Sequence, residues 1–472
     1  MLKRLLTACM ALCLTLLSLI TFSQGHKLDF KIEGLANETI MLGYFFGEST
    51  YVKDTTVMNA KGEFTFAGTE PLDPGMYFII KEKSRLFDFV INKDQEFKMT
   101  TKHPEYIANL QVEGDYDNDL FVKDLLYNGA RNKEADPFVT IVQDAGASEE
   151  AKAEARKSLD QINEKVIAYQ EKVITEHPES IISTIFKAYK RLDVPEAPKR
   201  SDGTVDSTYS FFYYKDHFWD NFDLGDPVLI RLAQPVYRKK VEEYLDNLFL
   251  QHPDTISNAI YQLAGVAKKN NDTYKYLVWS ATIKYQNPEI MGMDVVFVNL
   301  YDKYFASGEM DFWANDQLKQ NLKERADQLR LSMIGNKAPN LIMLDDKLQS
   351  QSMYDIKNKY TLIYFYDPDC GHCKKETPKL KKFYDETDFD VEVFAVSADT
   401  SMTKMRDYIG ELKLEWISVN GPRTYVGPYS KLYDALTTPT LYVLDEKKKI
   451  IAKKIPAERL EEFLARYEKY NK

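Results

Sequence analysis

Residues 360–378, YTLIYFYDPDCGHCKKETP, decide how the rest of the chain is read. Tyr360 to Tyr366 is a short apolar run of aromatic and β-branched residues, the composition of a strand buried on both faces. Asp367-Pro368-Asp369 stops it. From Cys370 the period becomes helical: Lys374, Lys375 and Glu376 are good helix formers, and Cys373, Leu380 and Phe383 can share one face. Cys370 is therefore expected at a helix N-terminus. Unpaired N–H groups and the positive end of the helix dipole stabilise a thiolate there and turn a sluggish thiol into a nucleophile.

A chain of 472 residues is too long for one core, and about 150 residues per domain predicts roughly three. With 44 % hydrophobic and 13 % aromatic residues it has the make-up of a well-packed globular protein. Residues 1–23 carry Lys3 and Arg4, an apolar run, and small residues at the end, the pattern of a cleaved export signal. An uncleaved anchor and a lipoprotein site at Cys9 are the alternatives, the second disfavoured because only two apolar residues separate Arg4 from Thr7. Of four Cys, Cys9 and Cys13 lie in this segment, so a cleaved chain keeps Cys370 and Cys373. A disulfide between them closes too short a loop to stabilise the fold, which points to redox chemistry. The formal charge of −10 becomes two units more negative without Lys3 and Arg4, and it argues against nucleic acid or an anionic membrane as partner.

In chain order, residues 24–115 alternate as short strands (Leu28, Phe30, Ile32; Ile40, Leu42, Tyr44; Phe64, Phe66) and predict an antiparallel β-sandwich. His26 and His103 read as isolated surface histidines. Residues 116–332 carry helical stripes such as Leu159, Ile162, Val166, Tyr169 and Val173, and predict a central all-α domain of helix hairpins. His177-Pro178 and His252-Pro253 mark helix junctions rather than metal ligands. The aromatic run 211–223, FFYYKDHFWDNFD, is either helical core or a peptide-docking surface. Residues 333–472 alternate strand and helix and close on an antiparallel hairpin, with a short helix expected over 430–436.

A buried strand, Cys-x-x-Cys at a helix start and Thr438-Pro439 before the next-to-last strand resemble the thioredoxin superfamily. Gly335-x-x-Ala338-Pro339 together with Cys370-x-x-Cys373-Lys374-Lys375-Glu376-x-Pro378 resembles its TlpA/ResA group of exported thiol-disulfide oxidoreductases. The three-part layout is similar to multidomain exported proteins of Bacteroides-type bacteria. The resemblance implies that Cys370 attacks a substrate disulfide, that Cys373 resolves the mixed disulfide, and that Glu376 manages the proton of the resolving thiol, unless it is merely a first-turn glutamate favoured by the dipole. It implies a cis Pro439 opposite the Cys pair, which leaves the Thr438 backbone to meet the substrate beside Gly371 and His372.

Two departures pull in opposite directions. Asp369 stands where many thioredoxins have Trp and works against the thiolate, whereas an imidazolium at His372 would favour it. The Gly-His pair resembles that of protein disulfide isomerases, with potentials roughly near −180 mV against about −270 mV for thioredoxin, so reductase, oxidase and isomerase all stay open. Haem attachment needs His after the second Cys and meets Lys374, and structural zinc lacks a second ligand pair. The expectation is an envelope or periplasmic thiol-disulfide oxidoreductase with no cofactor beyond its Cys370–Cys373 disulfide. Its partners are protein thiols and an upstream membrane electron donor or acceptor. A cell-envelope binding or scaffold protein with an accessory thioredoxin domain is the alternative.

Overall fold

The computed structural model describes residues 25–199 and 201–470. The export segment lies outside the described residues, and among those described no helix is long and apolar enough to cross a membrane. The chain divides into two compact units: residues up to Leu248 with Gly265–Tyr276, and Phe249–Ala264 with Leu277–Lys472.

The first unit opens with eight strands: β1 (His26–Glu33), β2 (Thr39–Phe46), β3 (Ser49–Val57), β4 (Glu63–Gly68), β5 (Gly75–Lys81), β6 (Ser84–Ile91), β7 (Glu96–Lys102) and β8 (Gln111–Glu113). They form two four-stranded sheets, β4-β1-β7-β8 and β3-β2-β5-β6. Alternation decides which side faces in. Leu28, Phe30 and Ile32 of β1 and Ile40 and Leu42 of β2 are buried in one shared core, where the Phe30 ring meets Phe64 at 5.2 Å and Phe89 at 5.3 Å. The expected antiparallel pairing needs one correction, since β1 and β7 run parallel. Five strands and their turns separate them, ample chain for a crossover.

Helices α1 (Tyr116–Gln143), α2 (Glu149–Glu176) and α3 (Ile181–Tyr189) follow. Asp115, Ser148 and Ser180 cap their N-termini through side-chain oxygens. Asn118 on α1 is fully buried because its amide pairs with both the N–H (2.8 Å) and the C=O (2.7 Å) of Val90 on β6. α4 (Tyr209–Asp216) and α5 (Val236–Asn247) come next, and the aromatic run, which starts on α4 and ends before α5, is split. Phe218 and Phe222 are core, while Phe211 and Phe212 on α4 stay exposed. His103 and His177 each meet a tyrosine hydroxyl, of Tyr106 and Tyr116.

α6 (Pro253–Ala267) and α7 (Asn271–Gln286) come next, and the second unit continues with α8 (Asp294–Leu300) and α9 (Asp316–Leu331). Then come β9 (Ile342–Asp345), β10 (Ser350–Ser352), β11 (Tyr360–Tyr366), α10 (Gly371–Glu386), β12 (Val391–Ser397), α11 (Met402–Leu412) and β13 (Ile417–Asn420). A small hairpin of β14 (Arg423–Thr424) and β15 (Gly427–Pro428) precedes β16 (Thr440–Leu444), β17 (Ile450–Lys453) and α12 (Leu460–Tyr470). The sheet order is β10-β9-β13-β12-β11-β16-β17, with β11 parallel to β12 and antiparallel to β16, a thioredoxin-like α/β sheet. All seven residues of β11 are buried, as its composition requires.

The helix expected over 430–436 is a single tight turn, Tyr429–Lys431. Its backbone groups are already engaged: Gln328 of α9 donates to Ser430 O and Tyr433 O, and Asp434 N donates to Ser332 Oγ. Buried charges sit beside it. Arg325 Nη1 and Lys454 Nζ both lie 2.6 Å from the Asp434 carboxylate, which holds its pKa below the usual range in spite of burial. Lys453 pairs with Asp294, each side chain 4 % exposed. Removing one partner of such a pair leaves an uncompensated charge, so Lys453→Met should lower the unfolding free energy by about 3–5 kcal/mol. The Asp294→Leu/Lys453→Met double variant should regain most of it in urea unfolding followed by tryptophan fluorescence. A single variant as stable as the parent chain would mean that the pair holds nothing together.

Candidate active site

The site begins where β11 stops. Asp367 makes the turn: its side chain accepts from Asp369 N (2.8 Å) and its carbonyl from Cys370 N (3.1 Å). Cys370 then has extended backbone angles, φ −73° and ψ 122°, and is the N-cap of α10, its carbonyl accepting from Lys374 N at 3.0 Å. Cys373, Thr377 and Leu380, three and four residues apart, turn the buried face of α10 onto the sheet.

The two thiols, both free in this structure, sit in opposite environments. Cys370 is partly exposed and its Sγ lies 3.5 Å from Thr438 O, across from the cis Thr438–Pro439 peptide. The Cys373 N–H at the helix start holds the Cys370 thiol below its ordinary pKa against partial burial, with help from the Cys373 side chain and the His372 N–H. Cys373 is fully buried, and burial pushes it up to about 11 although Asp367 N donates to its Sγ at 3.4 Å. The two sulfurs are thus pushed in opposite directions, Cys370 towards the thiolate and Cys373 towards the thiol.

Gly371 and His372 are exposed at the first turn of α10. What His372 brings to the lowered Cys370 pKa is its backbone N–H. Asp369 is also exposed, and Lys404 of α11 ties it down at 2.6 Å while reaching Asp399 at 2.8 Å. Asp367, Asp369 and Asp399 group closely enough to suggest cation ligands, but Lys404 already occupies two of the three carboxylates. Glu376 Oε1 accepts from Ala457 N at 2.7 Å and Oε2 faces Lys379 at 3.4 Å, while its charge still adds to the raised pKa of the buried Tyr364 hydroxyl. Sequence reasoning missed Lys404, which is distant in the chain, and the tyrosines beneath Cys373. The spacing of Tyr364 and Tyr366 on one face of β11 was the available sign of the latter.

A partly exposed, acidified Cys at a helix start, a buried Cys one turn on and a cis-proline loop opposite have the arrangement that dithiol exchange on a thioredoxin fold would use. Comparison with known proteins agrees. Residues 334–453 match the AhpC/TSA family, while residues 26–121 and 150–327 match two domain families of unknown function. The sporulation thiol-disulfide oxidoreductase A of Bacillus subtilis is 32 % identical over 114 residues, 23 % of this chain and 67 % of that protein. The thiol-disulfide oxidoreductase ResA of Bacillus cereus is 26 % identical over 136 residues, 28 % of this chain and 76 % of that one. Among solved structures, a domain of a possible thiol-disulfide isomerase from Cytophaga hutchinsonii is 37 % identical, covering 29 % of this chain and 95 % of its own with a TM-score of 0.28. A thioredoxin-like protein from Bacteroides caccae is 20 % identical over 58 % of this chain and 99 % of its own, with a TM-score of 0.46. The chain belongs to the thioredoxin-like thiol-disulfide oxidoreductases.

The backbone origin of the Cys370 shift separates two variants. Proline is tolerated in a first helical turn but has no N–H, so His372→Pro removes the donor, whereas His372→Ala keeps it. In a Cys373→Ser background, the pH midpoint of Cys370 alkylation by iodoacetamide should lie below the ordinary thiol range of about 8.5 and rise in His372→Pro but not in His372→Ala. With Cys373 intact, His372→Pro should be the more reducing protein, by about 30 mV or 1.4 kcal/mol, at equilibrium with a glutathione buffer. Equal shifts in both variants would return the effect to the imidazole.

Proposed function

We propose that this protein is an exported thiol-disulfide oxidoreductase that reduces or isomerises disulfides of protein substrates through Cys370-Gly371-His372-Cys373. The contrast between the two thiols carries the reading: Cys370 is accessible and acidified at a helix start, and Cys373 is buried and raised to about 11. The Cys370 thiolate attacks one sulfur of a substrate disulfide, and the other sulfur leaves with the bonding electrons. Cys373 then attacks Cys370 Sγ, releasing the substrate thiol and forming the Cys370–Cys373 disulfide. That cysteine pair is the redox group, with no separate cofactor. Thr438, at the cis-proline, presents backbone to an extended substrate segment. Exposed Leu436, two residues before it, suits an apolar stretch of an unfolded or misfolded protein. Export is supported by the charged and apolar pattern of residues 1–23, and a membrane electron donor or acceptor would reset the pair.

Two experiments test this. The purified chain should reduce insulin disulfides in the presence of a small dithiol well above the uncatalysed rate, and Cys370→Ser should abolish the gain. Cys373→Ser should accumulate stable mixed disulfides between Cys370 and substrate proteins in cells, because the first attack survives and the second is lost. Equal insulin reduction by the parent chain and Cys370→Ser would remove the enzymatic reading. Failure to recover adducts, where a known trapping variant succeeds, would remove the assigned roles.

A further inference from the structure

The cis-proline loop opposite Cys370 is anchored at both ends, and the two anchors differ in kind. On its C-terminal side Thr440 pairs with Phe365 of β11, and the Thr440 hydroxyl donates to Thr437 O at 2.6 Å. That end is fixed to the strand from which Cys370 emerges. On its N-terminal side, residues 430–434 take their partners from α9, which precedes the redox sheet in the chain. Gln328 Nε2 donates to Ser430 O and, at 3.2 Å, to Tyr433 O. Ser332, just past the helix, accepts from Asp434 N at 3.3 Å. Between the anchors Leu436 and Thr437 are exposed, and Thr438 holds its carbonyl 3.5 Å from Cys370 Sγ.

Arg325 gathers the N-terminal anchor. Its side chain is 7 % exposed, and Nη1 donates to Asp434 Oδ1 and to Gln328 Oε1, each at 2.6 Å. Nη2 donates to Gln286 O at 3.1 Å and to Asn287 Oδ1 at 3.2 Å, where α7 ends. One planar guanidinium therefore joins the ends of two helices to the loop, and it also orients the amide that holds Ser430 and Tyr433. A lysine ammonium lacks the fixed fork of donors that this requires. Drawing Asp434 away from Arg325 would leave buried charge less compensated, so α9 and the loop move together or not at all.

From these contacts we infer that Arg325 is a positioning residue for protein substrates: through Asp434 and Gln328 it sets where the Thr438 backbone stands relative to Cys370. The inference rests on the oxidoreductase reading above, in which an extended substrate segment meets Thr438. Thr438 is only four residues on from Asp434, so little chain is available to absorb a displaced anchor. Misplacing a positioning group by about 1 Å can cost about a hundredfold in rate. A small disulfide needs the Cys370 sulfur alone, whereas a protein segment needs that sulfur and the Thr438 backbone at once. Loss of the anchor should therefore fall mainly on protein substrates, and helix α9 serves the reaction without touching the reacting atoms.

The test compares insulin with 5,5′-dithiobis(2-nitrobenzoate) on the full chain. In Arg325→Gln the KM for insulin, at saturating dithiothreitol, should rise about tenfold with a smaller change in kcat. Its kcat/KM for insulin should fall about tenfold further than the rate constant for nitrothiobenzoate release by the reduced protein. A merely structural role would lower the folded fraction and so reduce both reactions alike. Arg325→Lys, which keeps a charge for Asp434, should recover part of the insulin affinity. Gln328→Leu removes the bonds to Ser430 O and Tyr433 O without unpairing a buried charge, and it should raise the same KM even if Arg325→Gln folds poorly. Amide hydrogen exchange gives a readout independent of turnover: Leu436, Thr437 and Thr438 should exchange faster in either variant than in the parent chain. A parental insulin KM in both variants, equal losses on insulin and the small disulfide, or unaltered exchange at 436–438 would each overturn the inference. A parent chain that neither reduces insulin nor releases nitrothiobenzoate would refute the oxidoreductase reading itself.

Discussion

Burial of β11 on both faces and along both edges fixes where the two cysteines stand. With β12 bonded on one side and β16 on the other, Tyr360 to Tyr366 can neither shift register nor rotate, because a one-residue slip would exchange the residues of its two cores. The chain therefore leaves the sheet at one defined point. The Asp367 turn converts that exit into a helix start, and the same peptide that ends the strand donates to Cys373. An aromatic core thus sets the position of two sulfur atoms.

The two sulfurs are differentiated by unlike physical means. Fixed backbone N–H groups at the start of α10 act on Cys370, which remains in contact with solvent. Desolvation acts on Cys373, held under the helix among tyrosine rings. Neither effect needs a charged side chain. Glu376 is free to bond Ala457, and Asp369 beside Cys370 is paired with Lys404. The Tyr364–Thr377–Tyr408 hydroxyls satisfy one another and hold the helix to the sheet.

Much of this was legible from residue order because it depends on neighbours in the chain. Strand alternation in 24–115, the doubly buried β11 and the helix start at Cys370 all follow from period and composition. What escaped depends on contacts between distant segments. The parallel pairing of β1 with β7 is a matter of topology, to which alternation is blind. Residues 430–436 have helical propensity, but Gln328 of α9 and Ser332 just after it supply hydrogen bonds that replace those of a helix. Lys404 sits thirty-five residues from Asp369, and nothing local announces their pairing. The run 211–223 is a mixture because an aromatic-rich segment buries only the rings that its backbone turns inward, leaving Phe211 and Phe212 outside.

The Asp369–Lys404–Asp399 bridge has a bearing on how the protein tolerates its medium. Contacts between exposed charges fade as salt rises, with a screening length of about 8 Å at physiological ionic strength. At low salt Lys404 neutralises Asp369, and at high salt the freed carboxylate is itself screened, so under either condition its field reaches Cys370 weakly. The dipoles that acidify Cys370 are peptide groups in direct contact with the sulfur, too close for mobile ions to intervene. What lowers the Cys370 pKa is therefore the part of the local electrostatics that salt leaves untouched.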